Sequence, residues 1–86
     1  MKDKVNDWGE SIKEAVWKKG KINPDFSPNV LRWDAHGNIM MWSEYGRIDS
    51  KFGWEIDLIN PVIEEGPDNI ENLQPLNKWH KTDRRS

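Results

Sequence analysis

Trp54-Glu55-Ile56-Asp57-Leu58-Ile59-Asn60-Pro61-Val62, an acidic loop, Asn72-Leu73-Gln74-Pro75-Leu76 and then Asn77-Lys78-Trp79-His80-Lys81 read in that order as strand, loop, short strand and helix. Alternation defines the first strand, 54–59. Trp54, Ile56 and Leu58 share one face, and Glu55, Asp57 and Ile59 share the other. Pro61 stops it. Gly66-Pro67 marks a turn in the acidic loop, Pro75 places the second strand at a sheet edge, and Asn77 is suited to cap a helix running from Lys78 to about Arg84. The stretch places a carboxylate, an asparagine and a histidine where a small metal site would need them, and a leucine among them.

Working outward, the bulk properties bound the rest. The chain has 86 residues, 35% of them hydrophobic and 33% charged, with a net charge of −2. One domain, 1–86, is all this length supports. The low apolar content points toward disorder, but six tryptophans (Trp8, Trp17, Trp33, Trp42, Trp54 and Trp79) are spread along the whole chain. Each buries on the order of 200 Å², so we expect a compact fold with a thin, tryptophan-rich core. The absence of cysteine excludes disulfides and thiolate-bound zinc. No apolar run is long enough to span a membrane, and Met1–Asn6 has no apolar segment behind it as a signal peptide would. Together these lead us to expect a cytoplasmic protein.

Upstream, Trp8, Ile12, Ala15 and Val16 recur at helical spacing and predict a helix over 7–19, with Lys13, Glu14 and Lys18 off that face. Pro24 and Pro28 make 21–29 a loop. Val30–Trp33 and Ile39–Trp42 then form the arms of a hairpin turned by Asp34-Ala35-His36-Gly37-Asn38. His36 at the tip reads as a solvated turn residue. Ser43–Gly46 is a tight turn, and 47–52 is a polar connector. The expected fold is therefore α+β, with a helix and hairpin over 7–46 ahead of a strand–loop–strand–helix core over 52–86.

The quoted stretch resembles the HNH endonuclease family, whose ββα-metal fold surrounds one divalent ion and whose members commonly read W-E-I-D-H-I-x-P-V, a glycine-containing loop, then N-L-Q-P-L and a helix. Trp54-Glu55-Ile56-Asp57, Pro61-Val62, Gly66, Asp68 and Asn72-Leu73-Gln74-Pro75-Leu76 carry the likeness. Val16-Trp17 through Tyr45-Gly46, with Asp34-Ala35 and Gly37, extends it toward a cysteine-free branch of the family. The resemblance implies an HNH-like ββα-metal core preceded by a helix and hairpin. It implies a metal-dependent phosphodiesterase in which the ion (Mg²⁺, Mn²⁺, Ni²⁺ or Zn²⁺) polarises the scissile phosphate and a histidine beside the metal-binding carboxylate takes a proton from the attacking water.

Carried over residue by residue, Asp57 falls on the first metal ligand and Asn72 on the asparagine that ties the loop down. The general-base position is Leu58, which has no lone pair to accept a proton. The ligand expected from the final helix aligns with Lys81, whose ammonium repels a cation. His80, one residue earlier and about 100° around the helix, is the candidate replacement ligand, and Asn60 offers an amide nearby. From Glu55 to Glu71 the chain has six acids and no base, whereas Lys78, Lys81, Arg84 and Arg85 follow with only Asp83 against them. Those four basic residues are candidates for DNA or RNA phosphates, and they also suit the C-terminal end of a helix electrostatically. Three functions follow as expectations: an HNH-like domain with impaired catalysis that keeps some metal or nucleic-acid binding; an active nuclease that recruits another base; and an interaction module on the same scaffold.

Overall fold

A computed structural model of the chain describes residues 9–60 and 69–79. It is a small mixed α+β domain, and the described residues form one full helix and two two-stranded antiparallel sheets. The helix, α1, spans Glu10–Trp17. One sheet pairs β1 (Leu31–Trp33) with β2 (Ile39–Met41), and the other pairs β3 (Trp54–Leu58) with β4 (Leu73–Asn77). Short 3-10 turns at Trp42–Glu44 and Ile70–Asn72 lead out of β2 and into β4. Lys78 and Trp79 are helical.

The core is built from tryptophan, as a chain this poor in aliphatic residues requires. Trp17 from α1, Met40 from β2 and Trp54 from β3 are buried together, with Trp42, Tyr45 and Ile56 packed against them. Trp54 lies at the centre. Its ring centroid is 4.9 Å from that of Trp17, 5.8 Å from that of Trp42 and 4.8 Å from that of Tyr45. Burial of Trp17 and Trp54 contributes roughly 3–5 kcal/mol each from area removed from water. Both indole N–H groups find carbonyls: Trp17 donates to Pro28 O at 2.9 Å and Trp54 to Trp42 O at 3.3 Å. Lys13, expected off the apolar face, lies against this cluster, its ammonium 4.9 Å from the Trp42 ring and 4.7 Å from that of Tyr45. A cation over two electron-rich faces contributes about 0.5–2 kcal/mol, and the lysine's aliphatic stem covers apolar surface that a short polar residue would leave wet.

The hairpin forms around the predicted turn, with its arms one residue shorter than expected, at Leu31–Trp33 and Ile39–Met41. Gly37 takes φ +85°, the left-handed region its position in the turn demands. Asp34 organises the turn: its Oδ1 accepts from the backbone N–H groups of His36 and Asn38, both at 2.9 Å. The other carboxylate oxygen crosses to the second sheet and accepts from the Asn77 N–H at 3.0 Å. Asn77 reciprocates through its side-chain amide, which donates to Ile39 O at 2.6 Å and Lys51 O at 2.9 Å. Asp34 and Asn77 are 1% and 3% exposed, so this strut joins the two sheets inside the protein. Arg32 makes a second tie. Its guanidinium donates to Pro28 O, Lys18 O and Gly20 O, fixing the end of α1 to β1, and burial holds its pKa below the usual arginine value.

Strand β4 begins and ends one residue later than the sequence suggested. Asn72 belongs to the 3-10 turn, and Asn77, expected as a helix cap, is the last strand residue. Ile59 N–H donates to Asn72 O at 2.7 Å and Lys78 N–H to Gly53 O at 2.9 Å, so these are hydrogen-bonded pairs. Alternation then puts Ile56–Pro75 at a non-hydrogen-bonded pair, and the missing proline N–H leaves no gap in the ladder. On the outer edge of β4, the Leu73 N–H is taken by Ile70 O and the Asn77 N–H by Asp34. Lys19 caps the same edge, donating to Leu73 O at 2.8 Å and to Ile70 O. Gly53 enters β3 so close to the preceding turn that a Cβ there would lie 1.6 Å from Arg47 O. Among the described residues no helix is long and apolar enough to cross a membrane.

Candidate functional site

The candidate site lies at the end of β3 and the start of β4, and its layout follows from strand register. Leu58 faces Leu73 across the ladder and Asp57 faces Gln74. Successive strand side chains leave on opposite faces, so Leu58 projects with Trp54 and Ile56 toward the side of Leu73 and Pro75. Asp57 projects with Glu55 to the other side. The leucine is therefore part of an apolar cross-strand pair, while the carboxylate stands on the polar face. Both are half-buried.

Asn72 is 6% exposed and makes a two-way bond with one residue. Its Oδ1 accepts from Asn60 N–H at 2.9 Å and its amide donates to Asn60 O at 3.0 Å. A side-chain amide mimics a strand neighbour here. With Ile59 N–H already on Asn72 O, it holds the two residues after β3 in place. Asn60, considered as an amide donor toward an ion, has its backbone engaged by this clamp. Lys19 fixes the 3-10 turn that carries Asn72, a contribution not visible in the sequence because the two lie on separate elements.

The Asp57 carboxylate is engaged by its own chain. Its Oδ1 accepts from the Leu58 N–H at 2.9 Å, and its Oδ2 lies 3.8 Å from the Lys78 ammonium, which is also 3.8 Å from Glu55 Oε1. Register explains the meeting. The Gly53–Lys78 pairing continues the ladder and puts residue 78 on the same face as residues 55 and 57. The Lys78 side chain is 17% exposed. Grouped from the sequence with phosphate-binding residues, it faces two acids of its own chain instead. A signal for this was present in the register but required knowing which residues pair.

A divalent ion at Asp57 needs further oxygen or imidazole donors and no nearby cation. Among the described residues no group of three or more His, Asp or Glu side chains converges, and an ammonium stands beside the one carboxylate that the family pattern assigns. The described donors do not fit a divalent ion. His80, Lys81, Arg84 and Arg85, together with Pro61, Val62, Gly66 and Asp68 of the motif, lie outside the described residues. His36 is exposed at the hairpin tip, where its backbone N–H serves the Asp34 turn. Comparison with known protein families, with characterised proteins and with solved structures found no match.

Proposed function

We propose that the chain is an HNH-like unit that keeps the frame of a phosphodiesterase, binds nucleic acid, and has impaired cleavage chemistry. One observation carries this reading: the frame residue and the chemical residue of the same motif have parted ways. Asn72 clamps the segment after β3, as a nuclease loop would need. The neighbouring position that needs a base holds Leu58, paired with Leu73. A positioned general base typically contributes 10²–10⁴ in rate, or roughly 3–5 kcal/mol of barrier. The Lys78 ammonium beside Asp57 supports the same reading, because it neutralises the carboxylate that the motif would use for a cation. For binding, the support is the run of Lys81, Arg84 and Arg85 after an acidic segment, a charge distribution suited to phosphates.

The test is plasmid nicking by the purified chain with Mg²⁺, Mn²⁺, Ni²⁺ or Zn²⁺. At most trace nicking is expected. Robust metal-dependent cleavage that Asp57→Ala abolishes would overturn the loss of chemistry. Binding to DNA and RNA at low salt is expected to weaken as salt rises and when Arg84 and Arg85 are neutralised. Absence of binding to either would overturn the nucleic-acid part and favour an interaction module.

A further inference from the structure

The outer face of the hairpin sheet has a composition that the site at β3 and β4 does not explain. Trp33 and Ile39 are cross-strand partners on one face, in a non-hydrogen-bonded pair with Cα atoms about 4.5 Å apart. Lys21 pairs with Trp33 on the other side, each backbone N–H donating to the other's carbonyl at 2.8 and 2.9 Å. The Lys21 side chain therefore leaves on the same face as the indole, from a Cα about 5.5 Å away. Phe26 packs against Trp33 with ring centroids 5.8 Å apart and a 55° tilt, yet remains 47% exposed. Beyond Ile39, an open groove is lined by Ile39, Lys51, Phe52 and Trp79, with Phe52 37% exposed.

Lysine thus stands at both ends of an aromatic surface. Lys21 and Lys51 are exposed, and among the described residues neither ammonium is held in an ion pair. None of the residues named on this face is acidic, although the chain as a whole carries a net charge of −2. Rings left open to solvent between exposed cations are the combination that single-stranded nucleic acid uses: π-faces for bases and ammonium groups for the phosphates that follow them. A duplex buries its bases in the stack and offers such rings nothing. An acidic peptide would use the lysines but not the tilted ring pair.

We infer that Phe26, Trp33, Ile39 and Phe52, with Lys21 and Lys51 at the two ends, form a stacking surface for unpaired nucleic-acid bases. It rests on the nucleic-acid-binding reading proposed above and adds which strand form binds and where. The basic run Lys81, Arg84 and Arg85 is a separate stretch of the sequence, so the two contributions are separable by mutation.

Fluorescence anisotropy with the full chain, using a short labelled oligothymidylate alone and annealed to its complement, tests this. The single strand is expected to bind more tightly than the duplex. Phe26→Ala and Trp33→Ala should each weaken single-strand binding about five-fold or more, the range of one lost stacking contact. Because Trp33 is half-buried, Phe26→Ala on an exposed ring is the variant that separates binding from folding. Replacing Lys21 and Lys51 by Gln should flatten the dependence of log affinity on log salt by about 0.7 for each lysine. If these variants bind like the parent chain while neutralising Arg84 and Arg85 removes binding, the stacking surface is overturned and nucleic-acid binding by the tail stands. Preference for the duplex also overturns it. No binding by the parent chain overturns both.

Discussion

Replacing Asp34 by alanine should remove a large part of the protein's stability. The carboxylate accepts three backbone N–H groups, from His36, Asn38 and Asn77, and is 1% exposed. Hydrogen bonds to a charged group contribute about 1.5–3 kcal/mol each, and donors left buried without partners cost about 1–3 kcal/mol. Some relief comes from water entering the shortened turn, so we take about 3–5 kcal/mol for the whole change. A chain of 86 residues has a total of about 4–13 kcal/mol at ordinary stability per residue. With a urea slope of about 1 kcal/mol/M for a small domain, the midpoint should fall by about 3 M or more. Tryptophan fluorescence is the natural readout, since Trp17, Trp42 and Trp54 share the core. Asp34→Asn supplies the internal control. Its single oxygen can serve the turn donors, but its amide then faces the Asn77 N–H, so roughly half the loss is expected. A loss below about 1 kcal/mol for Asp34→Ala, or equal losses for both variants, would refute the strut as the joint between the sheets.

Two further perturbations address the site. Asn72→Ala removes both bonds to the Asn60 backbone and should cost about 2 kcal/mol. It should also speed amide exchange at Asn60 without speeding it at Trp54, and unchanged exchange at Asn60 would show that the clamp does not hold that segment. Lys78→Met keeps the aliphatic stem and deletes the ammonium 3.8 Å from Asp57. Mn²⁺ or Ni²⁺ binding by calorimetry should be tighter in this variant than in the parent chain, and equal binding would remove Lys78 as the competitor for that carboxylate.

Local pattern was enough to read the first helix, the hairpin and the β3–β4 pair. Period-two alternation gave the faces of β3, glycine and aspartate gave the hairpin turn, and the separation of Asp57 from Leu58 onto opposite faces follows from the pleat alone. What the sequence withheld depends on contacts between distant residues. Asn77 reads locally as a helix cap, but its backbone N–H goes to Asp34, 43 residues away, which keeps it in the strand. Lys13 reads as a solvated helix residue because helical spacing says nothing of the rings that Trp42 and Tyr45 bring from elsewhere. Lys78 reads as a phosphate ligand until the β3–β4 register is known, and then its position beside Glu55 and Asp57 is required.

The outer edge of β4 has a consequence for the protein in a crowded solution. A sheet edge ordinarily offers a row of N–H donors to any passing strand, which makes it a template for aggregation. On this edge the Leu73 donor is satisfied by Ile70, Pro75 has none, and the Asn77 donor is closed by Asp34. Two-stranded sheets of this size have no interior strands to hide behind, yet β4 presents no donor on that side for another chain to pair with. Opening Asp34 would therefore do more than loosen the fold: it would uncover a recruiting edge, and variants at that position should be more prone to self-association than their loss of stability alone accounts for.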